Sequence, residues 1–309
     1  MPKHPLIRAR WLALAALLCI GLPARQRDAP VDAGTAIGVA PKRAATAAQK
    51  PVDAVYVLRD RVLARDGAGF ARLAVPPALH ARLAEGWREG RTRWPLDELP
   101  LDAKIPKMLA ALQEKNAESK LMATFRRQFA GADGDIDQAI RTLVLFGTEY
   151  VQKEADYTPE EREHVAQAIA ALGNWALAAP LSDPKRAQHF FTALVAAAQR
   201  SGIDGKAGNA AYAALGMDAS LNRLSPFIAT LLAQLRLQYG LDAGASLRGM
   251  QARLLHQTGD TARLRLRYTL GGTELDAIVP VVRIDGHWYL ADFVRRAEAS
   301  LAGKPPRPT

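Results

Sequence analysis

The sequence predicts an α+β, mostly helical protein, with a large multi-helix block and a C-terminal four-strand antiparallel meander packed on N-terminal helices. First, apolar residues recur at spacings of three and four from residue 52 to about residue 240. Second, residues 247–294 break into four short runs. Asp-Gly and Gly-Gly dipeptides tolerate the positive φ angles that two-residue hairpin turns need. The runs are separated by Thr258-Gly259-Asp260, Gly271-Gly272 and Asp285-Gly286.

Residues 1–24 have the three parts of an export signal. Their apolar core, residues 11–22, is shorter than the roughly 20 residues of a membrane-spanning helix, and a cleavage site follows Ala24. The positively charged start contains Lys3, Arg8 and Arg10. We therefore expect a signal peptide and a periplasmic or secreted protein. The alternative is a chain anchored in the membrane by an uncleaved leader.

The single cysteine, Cys19, lies inside this leader. Its loss on cleavage would exclude structural disulfides and thiolate metal sites from the mature chain. Lipid attachment at Cys19 is disfavoured because the preceding residue is Leu18 rather than a small one. Removing the three leader cations lowers the net charge from +10 to +7. A moderately basic chain favours anionic surfaces, which makes peripheral membrane association a candidate property.

Residues 25–51 are rich in Ala, Pro, Gly and Thr without apolar periodicity, and predict a flexible linker. Residues 52–101 predict N-terminal helices that pack on the sheet. The first helix covers residues 52–66 and stops at Gly67 and Gly69, and Pro76-Pro77 opens the next one.

Residues 102–240 predict a helical block, which is an insertion or a separate subdomain. Thr158-Pro159-Glu160-Glu161 reads as a capping box with proline at the first helical position. Asp183-Pro184 predicts another helix start, and Ser225-Pro226 predicts the start of the last helix. The third helix of the block has an apolar face that contains Ile136, Ile140, Leu143, Val144, Gly147 and Val151.

Residues 241–297 predict the antiparallel sheet, and residues 298–309 a disordered tail. Pro280 predicts an edge position or a bulge, because proline cannot donate to a strand ladder. The last run is expected to cover residues 287–294. Apolar residues alternate with polar ones in the first two runs, which gives each an apolar face. These apolar residues are Met250, Ala252 and Leu254 in the first run, and Leu264, Leu266 and Tyr268 in the second.

Arg263, Arg265 and Arg267 alternate with the apolar residues of the second run. They form a candidate anion-binding stripe for phosphate, lipid head groups or acidic glycans. The favoured interpretation is a solvated sheet face, because polar alternation produces such a face without any ligand. We therefore expect Leu264, Leu266 and Trp288 to be buried and the three arginines to be exposed.

The sequence lacks a recognisable catalytic constellation or metal site. Glu161 and His164 have the Glu-x-x-His spacing of di-iron bundle sites, but those sites need a second copy. Asp66 and Asp292 are the carboxylates expected nearest to the sheet, and capping roles are favoured for both. We expect no cofactor, and nucleic acid is not an expected partner because no aromatic-studded basic groove is visible. The isolated histidines, expected at the surface or hydrogen-bonded, are His80, His189 and His256.

Two stretches at the ends of the predicted mature chain resemble the nuclear-transport-factor-two-like superfamily. Residues 55–87 match its helix, Arg65-Asp66-Gly67 break and second helix, and residues 279–293 match a strand, Asp285-Gly286 turn and Trp-Tyr strand. The resemblance implies a cone of curved antiparallel sheet wrapped on N-terminal helices. It does not imply one activity, because the superfamily contains both enzymes and non-enzymatic binding proteins.

Together these features predict a non-enzymatic binding or accessory module of the cell envelope, whose partner is a protein or a small apolar ligand. The alternative is a small-molecule hydrolase or isomerase with a site in the concavity of the sheet. Polar groups that converge in a pocket would favour the enzyme, whereas an apolar pocket would favour the binding protein.

Overall fold

The computed structural model describes residues 47–98, 105–153 and 157–302. The predicted leader and most of the predicted linker lie outside these residues. Within them the chain forms twelve α-helices and one four-stranded antiparallel sheet near its C-terminal end, which confirms the predicted fold class.

The helices precede the sheet, except for the last one, which follows it. Residues Leu96–Glu98 and Gly205–Ala207 form short 3-10 helices. The α-helices are α1 (Asp53–Leu63), α2 (Gly67–Ala74), α3 (Pro77–Arg88), α4 (Ile105–Gln113), α5 (Ala117–Gln128), α6 (Asp133–Lys153), α7 (Pro159–Ala178), α8 (Pro184–Arg200), α9 (Asn209–Leu215), α10 (Met217–Tyr239), α11 (Ala243–Gly249) and α12 (Ala291–Leu301). The strands are β1 (Gln251–Thr258), β2 (Thr261–Leu270), β3 (Thr273–Ile284) and β4 (His287–Leu290).

Side-chain caps begin several of these helices where the sequence predicts them. Thr158 and Glu161 form the complete capping box of α7. Asp183 accepts hydrogen bonds from the first backbone N–H groups of α8. Asp66 caps α2 by accepting from the N–H of Gly69, so Gly67 and Gly69 lie in the first turn of a new helix.

The predicted helix start at Pro226 is wrong, because α10 runs through this residue without interruption. Proline removes the N–H that would bond to the carbonyl four residues earlier. Here Pro226 and Asn222 are both exposed, so water can solvate that carbonyl. The opposite face of α10 is held in the core on both sides of the proline by Leu221, Leu224 and Phe227.

The sheet has the order β1-β2-β3-β4 and is antiparallel throughout. Its three turns lie at the predicted dipeptides, where Gly259, Gly271, Gly272, Asp285 and Gly286 all have positive φ. Strict alternation along β2 places one residue in two in the core. The buried residues of β2 are Ala262, Leu264, Leu266, Tyr268 and Leu270.

Side chains from helices cap the open edges of the sheet. The hydroxyl of Tyr56 on α1 accepts from the N–H of Ala252 at 3.0 Å and donates to its carbonyl at 3.4 Å. The amide of Gln167 on α7 makes the same two bonds, at 3.0 and 3.1 Å, to the backbone of Asp276. Pro280 lies just before the part of β3 that pairs with β4, in agreement with the predicted edge position.

One continuous buried cluster joins the N-terminal helices to the sheet. It includes Leu58 and Leu83 together with Leu264, Leu266 and Trp288. The sheet also packs against α7, α11 and α12. At Gly271 the backbone approaches α7 so closely that an added Cβ would lie 2.7 Å from the Cβ of Trp175.

The sheet region of the sequence contains two helices that its pattern did not predict. Residues 243–249 form α11, and the expected last strand ends at Leu290, where α12 begins. Helix α12 reaches Leu301, so residues 298–301 of the predicted disordered tail are helical. Residues 303–309 lie outside the described residues.

The predicted apolar face of α6 is divided between two environments. Val151 is buried, and Gly147 approaches Ile169 of α7 as a close helix contact requires. Leu143, by contrast, is 56% exposed. The prediction that it packs with the others is wrong, because the helix contacts α7 along a stripe too narrow to cover it.

Candidate functional site

The three arginines of the predicted stripe lie on the exposed face of the sheet, as expected. Asp276 on β3 binds two of them. Arg265 donates to both of its carboxylate oxygens, and Arg267 donates from Nε at 3.0 Å. The hydrogen bond from Arg265, with a further contribution from Arg267, lowers the pKa of Asp276 to about 2. This carboxylate therefore stays ionised and holds both guanidinium groups in place.

Arg263 has a different partner from the other two arginines. It forms an ion pair with Glu160 in the first turn of α7. A cavity of about 220 Å³ lies beside Arg265 and Arg267, and Arg263 does not line it. The remaining lining residues come from β1: Gln251, Arg253, Leu254 and Leu255.

Sequence reasoning missed Arg253, although a signal was available. Arg253 stands in an alternating run, and the hairpin places it directly opposite Arg265. The same reasoning expected Leu254 to be buried, and this is wrong because the residue is 48% exposed. The register shifts between Leu254 and His256, and the bulge bends β1 where its side chains leave the core.

A second cavity, of about 90 Å³, lies between α1, α2 and α10 and opens to solvent. Its wall is predominantly apolar. Pro95 and Leu96, at the start of the 3-10 helix Leu96–Glu98, form one side of it. The apolar lining residues are Val62, Phe70, Pro95, Leu96, Leu221, Leu224, Ile228, Ala229 and Leu232. Arg65, Asp66, Gly67 and Ser225 complete the lining.

Two of these polar groups are occupied by structural bonds. Asp66 caps α2 and pairs with Arg61 at 3.1 Å. The hydroxyl of Ser225 accepts from the N–H of Gly67 and donates to the carbonyl of Leu221. Arg65 is exposed and has a φ of 60°, and its guanidinium makes no hydrogen bond or ion pair within the described ranges. It is therefore the cation available to a ligand in this pocket.

A buried ionic cluster joins the start of α7 to α12. The Arg296 guanidinium, 8% exposed, pairs with Glu161 and donates to Glu98 at 3.1 Å. Glu161 also accepts from Arg295 at 2.8 Å and from the N–H of Thr158 at 2.9 Å. Asp292 lies nearby, and burial followed by repulsion from Glu161 raises its pKa. These residues line neither of the two cavities described above and pair with one another, so the geometry of the cluster indicates a structural role.

His164 lies under the sheet, where its Nε2 is 2.7 Å from the hydroxyl of Tyr268. Complete burial lowers the pKa of His164 to about 4 and raises the pKa of Tyr268. Glu161 and His164 thus have different partners. Within residues 47–98, 105–153 and 157–302, no three His, Cys, Asp or Glu side chains are grouped to hold a metal ion.

The buried histidine predicts an acid-dependent loss of stability. The unfolded chain protonates His164 below about pH 6.5, whereas the folded chain resists protonation until about pH 4. The free energy of unfolding should fall by about 3 kcal/mol across this window. His164→Gln keeps a partner for Tyr268 and should remove most of this fall in urea titrations at pH 7, 5.5 and 4. If the free energy of unfolding of His164→Gln and of wild type depends equally on pH, the prediction is wrong. His256→Gln, at an exposed histidine, is the control.

The other predicted residues do not gather into a catalytic site. His256 Nε2 lies 2.7 Å from the hydroxyl of Thr258. Burial lowers the pKa of His80, whose Nε2 is 3.8 Å from Asp218. His189 and Asp292 line neither cavity. An aspartate and histidine therefore do not converge in either pocket.

No protein-family model, curated protein or solved structure matches this chain. The resemblance to the nuclear-transport-factor-two-like superfamily therefore stays a prediction. The helices of the described residues include none that is both long and apolar enough to span a bilayer.

Proposed function

We propose that the protein is a non-enzymatic binding module of the cell envelope that takes the apolar end of a small acidic ligand into the pocket between α1, α2 and α10. The observation that carries the proposal is the apolar wall of this pocket beside one cation, Arg65, that has no partner in the described residues. An apolar wall with a few polar groups at its rim is the usual lining of a small-molecule site.

The size of the pocket limits the ligand. A volume of about 90 Å³ is smaller than the roughly 150 Å³ apolar cavity that accepts benzene, and far below the roughly 300 Å³ of a complete ligand site. The enclosed part of the ligand is therefore a short alkyl chain or the edge of a ring. The remainder lies in the open mouth, where Arg65 can pair with a carboxylate or a similar acidic group.

The polar groups of the pocket favour binding over catalysis. Asp66 is bonded to the backbone of α2, and Ser225 is bonded to the backbone of α2 and α10. No histidine lines the pocket. General acid–base chemistry needs a titratable group that can exchange a proton with the ligand. The Asp66 carboxylate lines the pocket but is held by the N–H of Gly69 and by Arg61. The envelope location rests on the export signal predicted for residues 1–24 and is part of the same proposal.

Calorimetric titration with hexanoate and hexanol tests this function. We expect hexanoate to bind more tightly than hexanol, because only hexanoate pairs with Arg65. Ala229→Leu, which adds three carbon atoms to the wall, should abolish both interactions. Arg65→Gln should weaken hexanoate about tenfold and leave hexanol unchanged. Arg82→Gln, at an exposed position of α3 that does not line the pocket, is the matched control. Binding that survives Ala229→Leu in a folded variant would refute the proposal.

A further inference from the structure

The outer face of the β1-β2 hairpin carries three arginines around one cavity of about 220 Å³. Arg253 comes from β1, and Arg265 and Arg267 come from β2. The guanidinium of Arg253 makes no hydrogen bond or ion pair in the described part of the chain, although Arg253 lies directly opposite Arg265. Two like charges on directly opposite residues destabilise a hairpin, so an anion between them would relieve this repulsion.

Asp276 offsets only part of this charge. It is one carboxylate for three guanidinium groups, and it uses Nε and one Nη of Arg265 and only Nε of Arg267. Both Nη atoms of Arg267 and the whole guanidinium of Arg253 can still donate to a ligand. Glu274, on the same face of β3, lies opposite Thr269 rather than opposite an arginine.

The hairpin is poorly suited to bind another strand. The hydroxyl of Tyr56 already occupies the N–H and C=O of Ala252 at the outer edge of β1. The bulge between Leu254 and His256 interrupts the ladder beyond it. Both features block addition of a strand at a sheet edge. A ligand at this face is therefore bound by side chains.

Leu254 and Leu255 form the apolar part of the cavity wall and are 48% and 49% exposed. Exposed leucines beside unsatisfied guanidinium donors suit a ligand with both apolar and anionic parts. Arginine presents a planar fork of donors that matches the oxygens of phosphate and carboxylate groups. A phosphate monoester, with a charge of about −1.5 to −2 at neutral pH, offsets most of the two positive charges that remain when Asp276 is subtracted from the three arginines.

We propose that this cavity binds a phosphate-type oxyanion that carries an apolar arm, with Arg253 and Arg267 on the oxyanion and Leu254 and Leu255 on the arm. Such a group can belong to a free phosphate ester or to an acidic phospholipid head group. This site is separate from the pocket that Arg65 lines.

Calorimetry with phenyl phosphate, inorganic phosphate and benzyl alcohol tests the site. Phenyl phosphate should bind most tightly, because it alone has both parts. Arg253→Gln should weaken it about tenfold or more. Leu254→Ser/Leu255→Ser should lower its affinity to that of inorganic phosphate. The matched control is Arg263→Gln, which changes an arginine of the same face that does not line the cavity. Thermal melts verify that each variant is folded.

Cosedimentation with vesicles distinguishes the two sources of the phosphate group. Binding to phosphatidylcholine vesicles only when they contain phosphatidylglycerol, and loss of this binding in Arg253→Gln, would assign the site to a lipid head group. Binding of phenyl phosphate without vesicle binding would assign it to a free ester. The proposal is overturned if neither probe binds, or if Arg263→Gln weakens binding as much as Arg253→Gln.

Discussion

Replacing Arg296 with leucine is expected to lower the free energy of unfolding by about 3–5 kcal/mol at pH 7. The guanidinium of Arg296 is buried between Glu98 and Glu161. Its removal leaves two buried carboxylates without this partner, and the cost of an uncompensated buried charge exceeds the attraction that a pair provides. Urea unfolding followed by circular dichroism measures the loss.

The pH dependence of this loss separates electrostatics from packing. A buried carboxyl group that lacks its cation has a raised pKa, so it binds a proton in the folded variant before it does so in the unfolded chain. The stability difference between Arg296→Leu and wild type should therefore shrink as the pH falls from 7 to 5. Arg295→Leu is the control, because Arg295 contacts the same Glu161 but is 43% exposed. A deficit that is independent of pH would show that lost packing dominates.

Leu266→Ala is expected to cost about 2–5 kcal/mol, whereas Arg265→Ala should leave the urea midpoint almost unchanged. The two residues are neighbours on β2 and point to opposite faces of the sheet. Leu266 is 1% exposed in the main buried cluster, so the alanine variant leaves a cavity. Arg265 forms its ion pair with Asp276 in water, where pairing gains little over solvation.

The same denaturation experiment can contradict this prediction in two ways. A large destabilisation by Arg265→Ala would mean that the Arg265–Asp276 pair supports the hairpin. A small effect of Leu266→Ala would mean that the surrounding helices collapse into the cavity. Leu264→Ala, at an equally buried position of β2, provides a repeat within the same strand.

The sequence alone determined the features that depend only on residues adjacent in the chain. The three turn dipeptides, the alternation of β2 and the capping box at Thr158 each follow from local backbone geometry, and all are present. The exposure of the three predicted arginines follows from the same alternation. Each of these predictions needs only a few consecutive residues, because hydrogen bonds within a turn and side-chain direction along a strand are local properties.

Only the tertiary structure decided which distant residues meet. Glu98 and Arg296 form a buried pair although they are 198 residues apart, and Tyr56 bonds to the backbone of a strand residue 196 positions later. Pro226 remains inside a helix because the packing of the opposite face outweighs one lost hydrogen bond. Local propensities are small compared with the free energy of burying such a face. For this reason the two cavities, and the residues that line them, follow from the packing of whole elements and not from any short motif.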